Sequence, residues 1–126
     1  LDRLKNIFAS TFGVVRNTKN QVVKASGAVT ATGYASTTGI DVADYIEGLL
    51  AIDITAVSGT TPTIDFAVET YDGAQWFNLG LTIAQKTGVS SFLVPITNFG
   101  EKIRLKHTVG GTTPSFTYGA KFIGKS

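Results

Sequence analysis

Four stretches of this chain alternate apolar and polar residues with a period of two, and that alternation constrains the fold more than any other feature. Ile64, Phe66 and Val68 alternate with Thr63, Asp65, Ala67 and Glu69. Ile103, Leu105, His107 and Val109 do so against Lys102, Arg104, Lys106 and Thr108. Phe116, Tyr118, Ala120 and Phe122 form a third file, and Leu50, Ile52, Ile54 and Ala56 a fourth with Asp53 on its opposite side. Successive side chains of a strand point to opposite faces, so each file reads as a strand with one buried and one wet face. Such strands need an opposing apolar layer. The expectation is an all-β, antiparallel two-sheet β-sandwich of about seven to nine strands.

Composition narrows the class. A chain of 126 residues matches one ordinary domain. The balance of 43% hydrophobic and only 16% charged residues argues strongly against intrinsic disorder, and some apolar surface is expected to be covered by a partner. Eleven Lys and Arg against nine Asp and Glu leave +2, too little to predict a specific nucleic-acid partner. The chain has no Cys and no Met, so disulfides, thiolate metal sites and thiol nucleophiles are ruled out. No stretch approaches the roughly 18 consecutive apolar residues of a transmembrane helix, and no membrane partner is expected. Because the sequence opens at Leu1, an initiator methionine or a leader is expected upstream.

Residues 1–20 read as an N-terminal arm or short helix, and residues 21–126 as the sandwich domain. Leu1, Leu4 and Phe8 recur at roughly helical spacing. Through residue 24 the segment carries Arg3, Lys5, Arg16, Lys19 and Lys24 against Asp2 alone. Leu4, Ile7, Phe8 and Phe12 add apolar surface that gains about 25 cal/mol per Å2 when buried against a partner. Leu1, Arg3, Leu4, Lys5, Ile7, Phe8, Phe12 and Arg16 are therefore the candidate contact to a partner. Two competing expectations are a solvated terminal segment and a segment folded back onto the domain's own core.

Turn chemistry punctuates the strands. Glu69 to Trp76 reads as a hairpin around Asp72-Gly73, because glycine accepts the positive φ of a tight turn. Ser58-Gly59-Thr60-Thr61-Pro62-Thr63 recurs as Gly110-Gly111-Thr112-Thr113-Pro114-Ser115. Both copies are expected to be equivalent hairpins, on the two sheets of the sandwich or as neighbours at one end. Residues 33–47 are less regular, and residues 39–45 are expected to cross between sheets.

Catalytic chemistry is poorly supplied. His107 is the only histidine, and its register with Ile103, Leu105 and Val109 favours a half-buried structural role over a triad. Asp41 and Asp44 lack the ligand density of a calcium loop, and Gly110-Gly111-Thr112-Thr113 lacks the Lys and helix of a phosphate loop. Asp53, Asp65, Glu69 and Asp72 are the only candidate carboxylates for glycoside hydrolysis. Cross-strand pairing with the basic stripe of Lys102, Arg104 and Lys106 is their commoner role. That stripe is also a candidate site for phosphate, an acidic glycan or an acidic protein surface. Trp76, Phe77, Tyr71 and Tyr118 would suit a sugar platform, although alternation sends some of these rings inward, and core is favoured for them. No cofactor and no enzymatic activity are expected.

Three motifs carry a family resemblance. Asp53-Ile54-Thr55-Ala56-Val57-Ser58-Gly59-Thr60-Thr61-Pro62-Thr63, with the Asp72-Gly73 to Trp76 hairpin, resembles small virion proteins of tailed bacteriophages, which carry a "DVTAVSGTTPT" strand-turn-strand and a "DG..W..L" hairpin. Phe99-Gly100-Glu101-Lys102-Ile103-Arg104 followed by Val109 to Thr117 is similar to their "FG..IR....VGGTTPSFT". The resemblance covers residues 49–122 and leaves the basic N-terminal segment outside. It implies a β-sandwich, jelly-roll-like, that coats a capsid as a decoration or cement protein, or serves as a head or tail component. Its partners would be the major capsid protein, other virion proteins and further copies of the chain, at the capsid surface. The hairpin element is also similar to discoidin-like carbohydrate-binding domains, which implies a glycan-binding module as the alternative.

Overall fold

The computed structural model describes residues 18–126. Among the described residues there is no helix, and all strands belong to one antiparallel sheet curled into a half-barrel. They are β1 (Thr18–Val29), β2 (Gly33–Tyr34), β3 (Ile40–Asp41), β4 (Glu47–Tyr71), β5 (Trp76–Asn78), β6 (Ser90–Thr97) and β7 (Lys102–Lys125). β4 and β7 are 25 and 24 residues long and pair with each other from Glu47↔Lys125 to Tyr71↔Lys102. The four apolar files therefore lie on two continuous strands, two files to each.

A straight strand of that length would span about 80 Å at ~3.3 Å per residue, far too long for one small core. The ribbon bends at its middle, where the two echoed segments lie opposite each other. Ser58 pairs with Ser115, Thr60 with Thr112 and Thr63 with Gly110, with register shifts on both sides of Thr60. The expectation of two hairpins is thus corrected: the echoes are facing bulges inside paired strands, and bulges bend and twist the strands that carry them. A local two-fold relates them, because exchanging the copies converts the Ser58↔Ser115 pair into Gly110↔Thr63 and leaves Thr60↔Thr112 in place. Backbone angles agree, with φ of 111° and 107° at Gly59 and Gly111 and 47° at both Thr61 and Thr113.

On one side of the bend the sheet runs β1-β7-β4-β6, the first wall. On the other, β4 and β7 are flanked by β5 and by β2 and β3, the second wall. The two walls supply each other's apolar layer. Phe66 of the second wall meets Tyr118 of the first edge-on at 5.1 Å and Phe92 of β6 at 6.0 Å. Leu50, Ile52, Ile54, Ile64, Phe66, Val68, Ile103, Leu105, Phe116, Tyr118, Ala120 and Phe122 are all buried, with Val23, Val42, Val94 and Ile96 completing the core. Ala56 leaves the file: a register shift between Ile54 and Ala56 puts it in solvent.

The remaining segments close the second wall. Residues 33–47 do not simply cross over; Gly33 pairs with His107, Ile40 with Ile103, and Val42 is fully buried. Past β5, Leu79 N–H donates to Val68 O at 2.9 Å, and Ile64 and Lys86 exchange both backbone bonds at 2.9 Å, so this connection caps the free side of β4. The β4–β5 hairpin is as expected. Tyr71 pairs with Trp76, Asp72 N–H donates to Gln75 O at 3.1 Å, and Gly73 sits at φ 99°.

Candidate functional site

The curled sheet has two outer faces of different chemistry. On the second wall, alternation sends Lys102, Arg104 and Lys106 outward beside Glu69 and Tyr71. Arg104 is the centre of this cluster. Its Nε donates to Glu69 Oε1 at 2.6 Å, with both side chains only 15% exposed, and its Nη1 donates to Thr37 O at 3.0 Å. Its guanidinium lies 4.0 Å from the Tyr34 ring centroid and 4.4 Å from that of Trp76. Lys102 Nζ sits 5.8 Å above Tyr71 and Lys106 Nζ 6.0 Å above Tyr34. The basic stripe is real, but its cations are engaged by aromatic rings and a carboxylate of the same chain.

The carboxylates are dispersed. Glu69 holds Arg104, Asp65 accepts from Gln85 Nε2 at 2.8 Å, and Asp53 accepts from Ser91 Oγ at 2.6 Å. Asp72 Oδ1 accepts the N–H groups of Ala74 and Gln75, both at 2.7 Å, and these bonds, Gln75 first, lower its pKa. Asp41 accepts Ala43 N–H at 3.0 Å. Among the described residues no three potential metal ligands come together. The aromatic residues also separate. Tyr118 is core, Phe77 is exposed, and Trp76, expected in the core, is instead half-buried on the outer face against Tyr71 at 5.0 Å. Trp76 faces outward because it pairs with Tyr71, which alternation puts on the outer face with Glu69 and Arg104.

Inside, His107 is fully rather than half buried at 4% exposure, and its Nδ1 lies 2.8 Å from the Tyr118 hydroxyl. Burial pushes its pKa down, the Lys24 charge pushes it further, and a backbone bond at Ala31 opposes both. The direction of the Nδ1–Tyr118 bond is set by which ring nitrogen carries the proton. Burial likewise raises the Tyr118 pKa. Lys24 Nζ donates to Ala25 O, Gly27 O and Tyr118 O at 3.2, 2.9 and 2.9 Å and lies 4.5 Å from the Tyr118 ring, and burial lowers its pKa. Lys24 thus ties down the bulged part of β1 and is no free surface cation.

The first wall's outer face was missed by the sequence reading. Cross-strand register aligns Val22, Lys121, Ala51 and Leu93 in one row and Asn20, Ile123, Leu49 and Pro95 in the next. Val22 and Leu93 are 58% and 59% exposed, so the apolar patch reaches solvent. A groove of about 400 Å3 crosses it, floored by Ala51 and Gly119. The signal was present: Leu49-Leu50-Ala51-Ile52, Phe92-Leu93-Val94-Pro95-Ile96 and Phe122-Ile123 are apolar at both parities, which in a strand means two apolar faces. The candidate contact residues Leu1, Arg3, Leu4, Lys5, Ile7, Phe8, Phe12 and Arg16 lie outside the described residues, as does the expected N-terminal helix; β1 begins at Thr18, just inside the expected arm. Neither protein-family models nor curated proteins give a match to this chain.

Proposed function

We propose that this chain is a non-enzymatic structural protein of a bacteriophage virion, a capsid decoration (cement) protein that coats the head surface as a homo-oligomer bound to the major capsid protein. The observation that carries this reading is the apolar outer face of the first wall, built on a rigid four-stranded platform and rimmed by polar residues. Extended apolar faces of that kind mark surfaces of association. On the opposite face Arg104 pairs with Glu69 while Lys102 and Lys106 lie over aromatic rings, so association through apolar surface has few competing ionic demands. The resemblance of the segments around Gly59, Asp72-Gly73 and Gly111 to small phage virion proteins points the same way, and the two walls would then correspond to the two sheets of a jelly-roll-like sandwich. Residues 1–17 and the apolar face together make up the assembly surface.

A carbohydrate-binding module is the second reading, favoured by the half-exposed pair of Tyr71 and Trp76. It ranks lower because Arg104 already stacks on Trp76, and Gly39 packs so close to it that an added Cβ would lie 2.8 Å from the indole. Mass spectrometry of gradient-purified virions tests the first reading. A decoration protein is present in a fixed ratio to the major capsid protein; a chain found only in the lysate, never with particles, would contradict it. Glycan-dependent quenching of Trp76 fluorescence would favour the second.

A further inference from the structure

We propose that the apolar outer face of the first wall is the seat of the N-terminal segment, residues 1–17, of a second copy of this chain. This rests on the assembly reading above and names the partner of one surface within it.

The seat has the shape for an inserted apolar side chain. Ala51 and Gly119 keep the floor low, while Val22 and the bulge of β1 stand along one side. Gly119 is needed here: a Cβ on it would meet Lys24 O and Ser26 Cα at 3.4 Å, closing the floor against the bulge. Leu93, from β6, stands exposed across Ala51. Charge contributes little, because Lys121 and Lys125 on this face are offset by Glu47 and Asp53. Recognition is therefore by apolar surface.

The segment that fits it is already in the chain. Leu4, Phe8 and Phe12 recur at i, i+4 and i+8, with Leu1 and Ile7 beside them. Seventeen residues span about 25 Å if helical and up to ~55 Å if extended. The face measures about 26 Å along β4 from Glu47 to Thr55 at ~3.3 Å per residue. Thr18 pairs with Lys125, the last residue of β7, at the open end of the first wall, and β1 runs inward from there. In the proposed arrangement a neighbour placed at that open end receives the segment that precedes Thr18. Exchange of such arms between copies closes symmetric oligomers, and on a head it adds the avidity of many weak contacts.

The absence of cysteine makes the test clean. Phe8→Cys and Ala51→Cys are made as separate variants carrying tags of different size, mixed, and oxidised. The proposal expects a disulfide-linked heterodimer as the main product, with native Trp76 fluorescence retained. It is overturned if the mixture gives no cross-link, or if the Phe8→Cys/Ala51→Cys double variant closes only within single chains. Ala51→Glu supplies an independent readout by light scattering, with association weakened roughly tenfold or more and the melting temperature unchanged; an unaltered oligomeric state overturns the proposal. Because these measurements use free protein, their failure leaves the virion reading standing, and the failure of virion association leaves arm exchange standing.

Discussion

Gly59 and Gly111 face each other's strand across the bend in equivalent positions: a Cβ on Gly59 would lie 2.7 Å from Thr113 O, and one on Gly111 would lie 2.6 Å from Thr61 O. Both residues also hold positive φ. Alanine at either place combines backbone strain with a clash against main chain that cannot move aside, and should cost about 1–3 kcal/mol. The local two-fold predicts similar losses for Gly59→Ala and Gly111→Ala in urea denaturation. Unequal losses would show that the two bulges carry different loads.

Gly73 provides the contrast. Its φ is 99°, but nothing lies within 4 Å of an added Cβ, so only the backbone objects. Gly73→Ala should therefore cost less than Gly59→Ala, and Gly73→Val on the order of 1–3 kcal/mol. Thermal melts of the three variants give the ranking directly.

Arg104 is held by a carboxylate, a carbonyl and two aromatic faces at once. Lysine cannot reproduce that planar fork and stack. Arg104→Lys should lose about 1–3 kcal/mol, and the emission of the single tryptophan should shift because its stacking cation is gone. An unchanged spectrum would mean that the stack does not persist in solution.

The pH dependence follows from His107. Its folded pKa is depressed below the ordinary 6.5, mainly by burial, so the fold favours the neutral ring. The stability this confers is present above the unfolded pKa and is lost as pH falls from about 6.5 through the folded value. His107→Gln should flatten the melting temperature between pH 7 and pH 5. Lys24→Met removes the neighbouring charge, so the single imidazole should titrate higher by NMR. Asp72, also depressed, acts only below the ordinary carboxylate range and does not confuse the readout.

Period-two alternation identified the core almost residue by residue, because inner and outer faces of a strand must differ when one is buried: Ile64, Phe66, Val68, Leu105 and Phe122 all lie where it puts them. It cannot tell whether two files belong to one strand, which is why the echoes at Gly59 and Gly111 read as turns. Glycine, threonine and proline serve a bulge and a hairpin equally well, and only the long-range pairing of Thr60 with Thr112 distinguishes them. The basic stripe was legible, whereas its engagement by Tyr34 and Trp76 depends on residues distant in sequence. The apolar outer face does not show in the alternation, because the runs that build it, such as the one from Leu49 to Ile52, are apolar at both parities.

Assembly on a phage head is the central claim, and co-sedimentation with tailed-phage heads lacking the protein tests it most directly. Purified protein, titrated onto such heads and pelleted, should bind saturably at a copy number set by capsid symmetry, and Ala51→Glu should reduce that binding. Protein that stays in the supernatant at every concentration, or pellets without saturating, would contradict the account.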